Sequence, residues 1–333
     1  MKMIHQYKVE DTEGIISLWN RAAVKIGYKE MNIARFSEIF AENPYFHPNH
    51  TFVMREEGAV VGFACGCVDD DIPLGKISGY ITCILLDEQR ETSDNYRKFM
   101  DLLEESFAKA GRVQSDILFF NPMMLPWYIK GTNHHEHNNA PGVFKNSRLY
   151  KELLNYGYAE RTTECAMYMS LDDYIIPATI TEKVKKAAKA GYQVVLFDKN
   201  MHHDLDTMLQ KLENPLWEKE IKQAAYEGVP VLVAAKNGKT VGFAGPIRRQ
   251  ESGRGYFTGI GVNKEHEGYG LGTILFFLLC QEEKKVGAQY MSLYTGNTNP
   301  AARIYLQAGF HIVEEFAVMR KGLKTGLKTG NII

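Results

Sequence analysis

The apolar positions of the chain alternate between short runs of β-type spacing and longer segments of helical period. A β-type run at 5–8 leads into a helix over 12–25, and later a turn at Glu57-Gly58 opens a strand that begins Val61-Gly62-Phe63-Ala64. The same four residues return as Val241-Gly242-Phe243-Ala244 after Asn237-Gly238, an offset of 180 residues. A second pair follows in the same order. Gly79-Tyr80-Ile81-Thr82 precedes Ile84-Leu85-Leu86, and Gly255-Tyr256-Phe257-Thr258 precedes Ile260-Gly261-Val262, at an offset of 176. Gly157-Tyr158 and Gly309-Phe310 form a third pair at an offset of 152, each after a helical segment and before a β-type run. Three ordered matches point to an internal duplication.

Each half then predicts one order of elements: strand, helical segment, hairpin, strand, helix, strand, helix and final strand. The second copy starts with a strand at 192–197 and helical stretches between 203 and 227. The fold class expected is α/β with mixed layers: two tandem domains, each a central mixed sheet flanked by helices. The boundary is expected within 171–179, where Pro177 argues against continuing a strand. This gives domains at 1–171 and 172–325 and a mobile tail at 326–333, with one large mixed-sheet domain as the alternative. The drop in offset from 176 to 152 places about 24 extra residues in the first copy. They fall in 121–146, which reads as a long loop rich in Pro, Asn and Gly.

Composition narrows the function. The 333 residues are 45% apolar and 24% charged, enough for two domains with their own cores. Thirty-nine basic against forty acidic residues leave a net charge of -1, which provides no field for a nucleic acid or an anionic membrane. The longest apolar stretch, 274–280, is too short to span a bilayer, and the start of the chain lacks a signal-peptide core. A cytoplasmic protein is expected, its five cysteines (Cys65, Cys67, Cys83, Cys165 and Cys280) reduced.

Candidate chemistry concentrates after the second-copy strand. Glu267-Gly268-Tyr269-Gly270-Leu271-Gly272-Thr273 opens a helix with the apolar body 274–283. Glycines let consecutive backbone N–H groups face an anion, and the helix start adds its positive dipole end. A pyrophosphate fits this arrangement; a tight turn packing a helix onto a sheet also uses glycine. No Lys-Ser or Lys-Thr follows the last glycine, and the opening strand-loop-helix of a dinucleotide fold is missing.

The run from Glu267 to Gly272 resembles the pyrophosphate loop of the GNAT superfamily of acyl-CoA-dependent N-acetyltransferases, Arg/Gln-x-x-Gly-x-Gly/Ala, departing from it at Glu267. A second motif of that family, an Asn followed by a helix with a Tyr and ending in Gly-Phe, is similar to Asn299-Pro300-Ala301-Ala302-Arg303-Ile304-Tyr305-Leu306-Gln307-Ala308-Gly309-Phe310. The resemblance covers about 180–321. It implies acetyl transfer from acetyl-CoA to a primary amine of a small molecule or an amino terminus. The implied contacts are backbone N–H groups from Glu267 through Thr273 for the pyrophosphate, and Ile260, Gly261 and Val262 for the pantetheine arm. Asn299 and Ala302 adjoin the cofactor, and Tyr305 is the general acid at the leaving sulfur. Without the motif, Tyr305 reads as a half-buried aromatic on an amphipathic helix.

In the first copy, the counterpart of the glycine loop is Asp87-Glu88-Gln89-Arg90-Glu91-Thr92-Ser93-Asp94, with four carboxylates and no glycine, and Leu153 stands opposite Tyr305. This copy resembles the degenerate half of tandem members in which one domain binds CoA. Its long loop carries Trp127, His135, Glu136 and His137, candidates for the acceptor pocket, with an exposed polar loop as the plain alternative. Contiguous histidines cannot easily surround one ion, so no metal is expected. The partners expected are the amine substrate and pairing of the two domains within a monomer or homodimer. A non-catalytic acyl-CoA-binding regulatory module and a metal-dependent hydrolase are the competing readings.

Overall fold

A computed structural model describes residues 2–117 and 121–323; the tail expected at 326–333 lies outside the described residues. The chain divides into two compact units. The first holds Met1–Ala166, Tyr294–Thr298 and the stretch from Val313 onward, and the second Met167–Leu293 and Asn299–Ile312.

The first unit begins with β1 (Lys2–Gln6), α1 (Thr12–Ile26), α2 (Ile33–Phe36), β2 (Thr51–Glu56), β3 (Ala59–Cys67), β4 (Ser78–Leu86), α3 (Ser93–Lys109) and β5 (Gln114–Ile117). Neighbouring strands pair antiparallel from β1 to β4, and β4 pairs parallel with β5. Glu57 and Gly58 take φ of 51° and 86°, the left-handed pair that a two-residue hairpin turn between β2 and β3 needs. On α3, Tyr96, Phe99, Met100, Leu103 and Phe107 form one apolar stripe and are buried. A Cβ on Gly79 would lie 2.1 Å from the Phe107 ring, so close packing of α3 on β4 requires this repeat glycine.

The segment 121–146 is not the structureless loop that its composition predicts. It contains β6 (Trp127–Tyr128) and β7 (Glu136–His137), which pair antiparallel, and β8 (Val143–Phe144). Next come α4 (Arg148–Tyr156), capped by the Ser147 side chain, and β9 (Ala159–Ser170), whose residues from Met167 belong to the second unit.

The second unit runs α5 (Ala178–Lys189), β10 (Tyr192–Leu196), α6 (Leu205–Lys211), α7 (Pro215–Tyr226), β11 (Leu232–Lys236), β12 (Lys239–Gly245), β13 (Arg248–Arg249), β14 (Arg254–Tyr256), β15 (Gly259–Val262), α8 (Leu271–Lys285), β16 (Tyr290–Gly296), α9 (Ala302–Ala308) and β17 (His311–Gly322). Pro177 stands just before α5 in an extended conformation, where proline suits a helix entrance. One antiparallel set orders β10-β11-β12-β15, while β14 pairs parallel with β16. α8 is apolar on nearly every side because its body, from Ile274 to Cys280, is almost wholly buried.

The last strand departs from the contiguous halves expected at 1–171 and 172–325. From Val313 onward β17 belongs to the first unit, pairing with β5 through Met319↔Ile117 to Gly322↔Gln114 and with β8 through Phe316↔Phe144. Its Phe316, Ala317 and Met319 are fully buried there, and Arg320 donates at 2.7 Å to the buried Asp116, which also accepts from Ser78 at 2.6 Å. Apolar alternation identifies a strand but not the neighbour it joins, and so the exchange was invisible locally.

A fragment ending at 171 therefore lacks a core strand of its own unit. Losing buried side chains such as Phe316 and Met319 costs about 2–5 kcal/mol each, against a total stability of about 5–15 kcal/mol. Calorimetry of 1–171 is expected to show no cooperative melting; a sharp transition in that fragment would contradict the exchange.

Candidate functional site

The strand marked at 255–262 is interrupted. β14 pairs with β16 through Arg254↔Tyr290 and Gly255↔Met291, whereas β15 pairs with β12 from Gly242↔Val262 to Gly245↔Gly259 and ends its sheet order as an edge. Phe257 and Thr258 stand between the two. Trp217 of α7 holds the break, its Nε1 donating to the Thr258 carbonyl at 3.1 Å. A Cβ on Gly259 would lie 2.3 Å from that same nitrogen, so only glycine admits the indole. Ile260, Gly261 and Val262 are half-buried. Ile260 and Val262 pack on the core, and among the described residues no strand pairs with the outer backbone edge of β15.

The glycine loop follows directly. Gly268 and Gly270 have φ of 85° and 72°, left-handed values that glycine adopts without strain. Gly270 caps α8 with no side-chain bond, and no acidic residue occupies the first turn. The first bond of the helical ladder joins the Ile274 N–H to the Gly270 carbonyl at 3.0 Å, so the N–H groups of Leu271, Gly272 and Thr273 precede the ladder. Among the described residues, and apart from the adjoining residues and the helix's own backbone, nothing lies within 4 Å of where a Cβ on Gly268 or Gly272 would stand. The open space above the loop suits an anion carried on backbone N–H groups. Glu267 and Tyr269 are exposed, and the Tyr269 ring lies 4.7 Å from that of Tyr192, whose hydroxyl bonds His266 at 2.9 Å.

Tyr305 approaches the same region from α9. The Asn299 side chain accepts from the Ala301 N–H at 3.0 Å and its carbonyl accepts from Ala302 at 3.1 Å, which starts that helix. The Tyr305 ring is 4.8 Å from Phe276, and Phe276 is 5.9 Å from Phe257 at the strand break. Phe276 stands about 8 Å along α8 from its first residue at 1.5 Å per residue. The phenol, the strand break and the opening turns of α8 thus gather around one ring. The Tyr305 hydroxyl has no hydrogen-bond partner among the described residues, and burial raises its pKa above the ordinary phenol value, so it is protonated near neutral pH. Further along α8, Glu283 is fully buried, its carboxyl held up at about 9 by burial, and it accepts from the Arg248 N–H at 3.3 Å.

Two residues the motifs did not reveal join this geometry. On α7, Glu220 accepts from the Tyr256 hydroxyl at 2.9 Å, and that hydroxyl lies 3.3 Å from Thr258 Oγ1. On α5, the Lys183 side chain is the nearest group to a Cβ placed on Gly270, at 4.0 Å. Each is brought in by a helix distant in sequence from the strand or loop it meets.

The first-copy candidates sit inside the first unit. Trp127 and His137 are buried with rings stacked at 6.4 Å, and both meet Tyr294, to which the Trp127 indole donates at 2.7 Å. Glu136 is ion-paired with Lys29, and the His135 carbonyl accepts from the Ile129 N–H at 2.8 Å. At the start of α3 the Thr92 side chain accepts from the Asn95 N–H at 3.2 Å, so this helix satisfies its own cap. Leu153 is buried in the apolar core. Among the described residues, no group of three or more His, Cys, Asp or Glu stands together that could hold a metal ion, and no helix is long and apolar enough to cross a membrane.

The model of the acetyltransferase (GNAT) family matches residues 199–310. No curated protein sequence matches the chain. Among solved structures, a GCN5-related glucosamine N-acetyltransferase region of a fungal multi-domain GH3 β-N-acetylglucosaminidase has a TM-score of 0.66 at 13% identity over 96% of this chain, which spans 38% of that protein. A GCN5-related N-acetyltransferase from Sphaerobacter thermophilus has a TM-score of 0.63 at 13% identity, covering 98% of this chain and 97% of that one. A tandem GNAT protein from the clavulanic acid biosynthesis pathway has a TM-score of 0.57 at 13% identity, covering 97% and 99%. These likenesses extend the fold over both units, while the acetyltransferase (GNAT) family model itself matches one domain of the chain, at 199–310.

Proposed function

We propose that the protein is an acetyl-CoA-dependent N-acetyltransferase whose second unit carries the chemistry, with a primary amine of a small molecule or an amino terminus as acceptor. The observation that carries this reading is the meeting of three features: a side-chain-free helix start at α8, a strand edge at β15 that no strand among the described residues covers, and Tyr305, a buried residue whose hydroxyl makes no hydrogen bond among the described residues.

Residues 268–273 fit a pyrophosphate through backbone N–H groups, and the aliphatic stem of Lys183 passes beside Gly270. The outer edge of β15 at Ile260, Gly261 and Val262 fits an extended amide chain. Asn299 shapes the start of α9 and so orients Tyr305, and Ala302 stands in the first turn. Bound acetyl-CoA supplies the thioester. When the amine nitrogen bonds to the acetyl carbon and the carbon–sulfur bond breaks, Tyr305 gives its proton to the leaving sulfur; the proton shed by the nitrogen passes to solvent, from which the Tyr305 phenolate is reprotonated. The raised pKa keeps that proton on the phenol throughout the neutral range. Across the break, Glu220 offers a carboxylate to an arriving ammonium group, held in place by Tyr256.

In this reading the first unit is a degenerate copy, with a self-capped helix and carboxylates where the glycine loop would stand. The binding-module alternative explains the loop but gives no role to a buried phenol without a partner.

Glycine 272 separates fold from function. Gly272→Ala meets no atom within 4 Å and gains helix propensity of up to about 1 kcal/mol, so melting is expected to hold or rise while acetyl-CoA affinity falls. Lowered stability with unchanged affinity would contradict the cradle. Kinetics tests the proton donor and the acceptor carboxylate together, by following free thiol with acetyl-CoA and an amine library. Tyr305→Phe is expected to lower kcat about 100-fold or more with acetyl-CoA affinity nearly unchanged, and Glu220→Gln to raise the KM of the amine. Equal kcat for Tyr305→Phe removes the general-acid role.

A further inference from the structure

A cleft of about 660 Å3 opens on the first unit between α3 and the edge strand β1. In the antiparallel pair of β1 and β2, Ile4 stands opposite Met54 and Gln6 opposite Phe52, so these four side chains share one face. Phe52 and Met54 belong to the core that α3 covers, and Ile4 packs against it. Ile4 and Phe52 thus give the cleft an apolar floor at the rim of that core. Leu102 and Ser106 of α3 stand on one side, and Asn49 and His50 of the turn Pro48–His50 on the other. The volume falls within the range of small-molecule sites.

His50 gives the cleft its chemistry. The Ser106 hydroxyl donates to the Leu103 carbonyl at 2.8 Å, so its oxygen accepts from His50 Nδ1–H at 3.0 Å. That bond fixes the tautomer and leaves Nε2 as a bare acceptor. Nε2 has no hydrogen-bond partner among the described residues and is not one of their enclosed polar atoms. Burial pushes the His50 pKa down to about 4, and His47 and Arg112 act in the same direction, so the ring is neutral near neutral pH.

This setting selects by charge. A bare lone pair attracts a donor and repels an anion, while surroundings that strip the proton from an imidazole also disfavour a cation. Glu105 and Lys109 at the rim neutralise each other in an ion pair at 2.7 Å. Gln6 and Asn49 contribute carboxamides, which pair with a donor or an acceptor. The Phe52 floor and the His50 ring, itself 5.9 Å from that of Phe107, suit a flat aromatic body.

We propose that this cleft binds an uncharged aromatic compound whose ring N–H or O–H donates to His50 Nε2, with a polar substituent that meets the Gln6 and Asn49 carboxamides. The inference is independent of acetyl transfer in the second unit, because every residue it uses lies in the first.

Indole-3-acetamide added to the isotope-labelled full chain tests it, with proton–nitrogen spectra of the imidazoles as the readout at the site. His50 is expected to carry its proton on Nδ1, and its Nε2 resonance to shift as the amide binds. Blocking the donor, in 1-methylindole-3-acetamide, is expected to weaken binding about five-fold. Anionic indole-3-acetate and cationic tryptamine are expected to move the His50 resonances only at higher concentration than the amide. His50→Phe keeps a ring and removes the acceptor, so a folded chain with that change is expected to bind the two amides alike. The proposal is overturned if indole-3-acetamide leaves the His50 resonances unmoved, if the methylated amide or either charged analogue binds as tightly, or if His50 carries its proton on Nε2. The comparison of ligands uses the unaltered chain and holds even where His50→Phe fails to fold.

Discussion

The geometry of the second unit depends on one change of hydrogen-bonding partner. At Phe257 and Thr258 the chain stops pairing with β16 and begins pairing with β12, so one strand in sequence becomes two in space. Trp217 wedges against Gly259 and holds the break open. The consequences follow from sterics and hydrogen bonding. β15 ends its sheet among the described residues, Phe257 reaches Phe276 on α8, and Tyr305 packs on that same Phe276 ring. If the strand were continuous, the edge that suits an amide chain would be consumed by the sheet.

The two helix starts at corresponding places in the copies show how one scaffold carries different chemistry. α3 is capped by the Thr92 side chain and follows Asp87, Glu88 and Glu91, so its Asn95 N–H is met from within and its surroundings are anionic. α8 begins at a glycine with no cap, no first-turn acid and open space above Gly268 and Gly272. The first arrangement meets a donor from within; the second leaves the first N–H groups of its helix without a side-chain cap, at some expense in helix stability.

Much of this was legible from local pattern. The hairpins at Glu57-Gly58 and Asn237-Gly238 announce themselves through residues that tolerate left-handed backbone, and Asn237 and Gly238 do adopt φ of 52° and 79°. The repeat glycines Gly79 and Gly255 mark strands pressed against a helix, by Phe107 in one case and Glu283 in the other. What stayed hidden is non-local. Nothing in the alternation of β17 says that its residues from Val313 belong with β5 and β8. The polar composition of 121–146 concealed a hairpin whose Trp127 and His137 are covered by Tyr294 and Phe316, and neither Glu220 nor Lys183 lies near a motif in sequence.

The central claim is that a single, side-chain-free helix start holds acetyl-CoA in this chain. Titration of the full-length protein with acetyl-CoA in a calorimeter measures it directly. The account predicts one site per chain, lost in Gly270→Val because a branched residue is strained at φ of 72° and covers the cradle. Two sites per chain, or undiminished affinity in Gly270→Val, would contradict it.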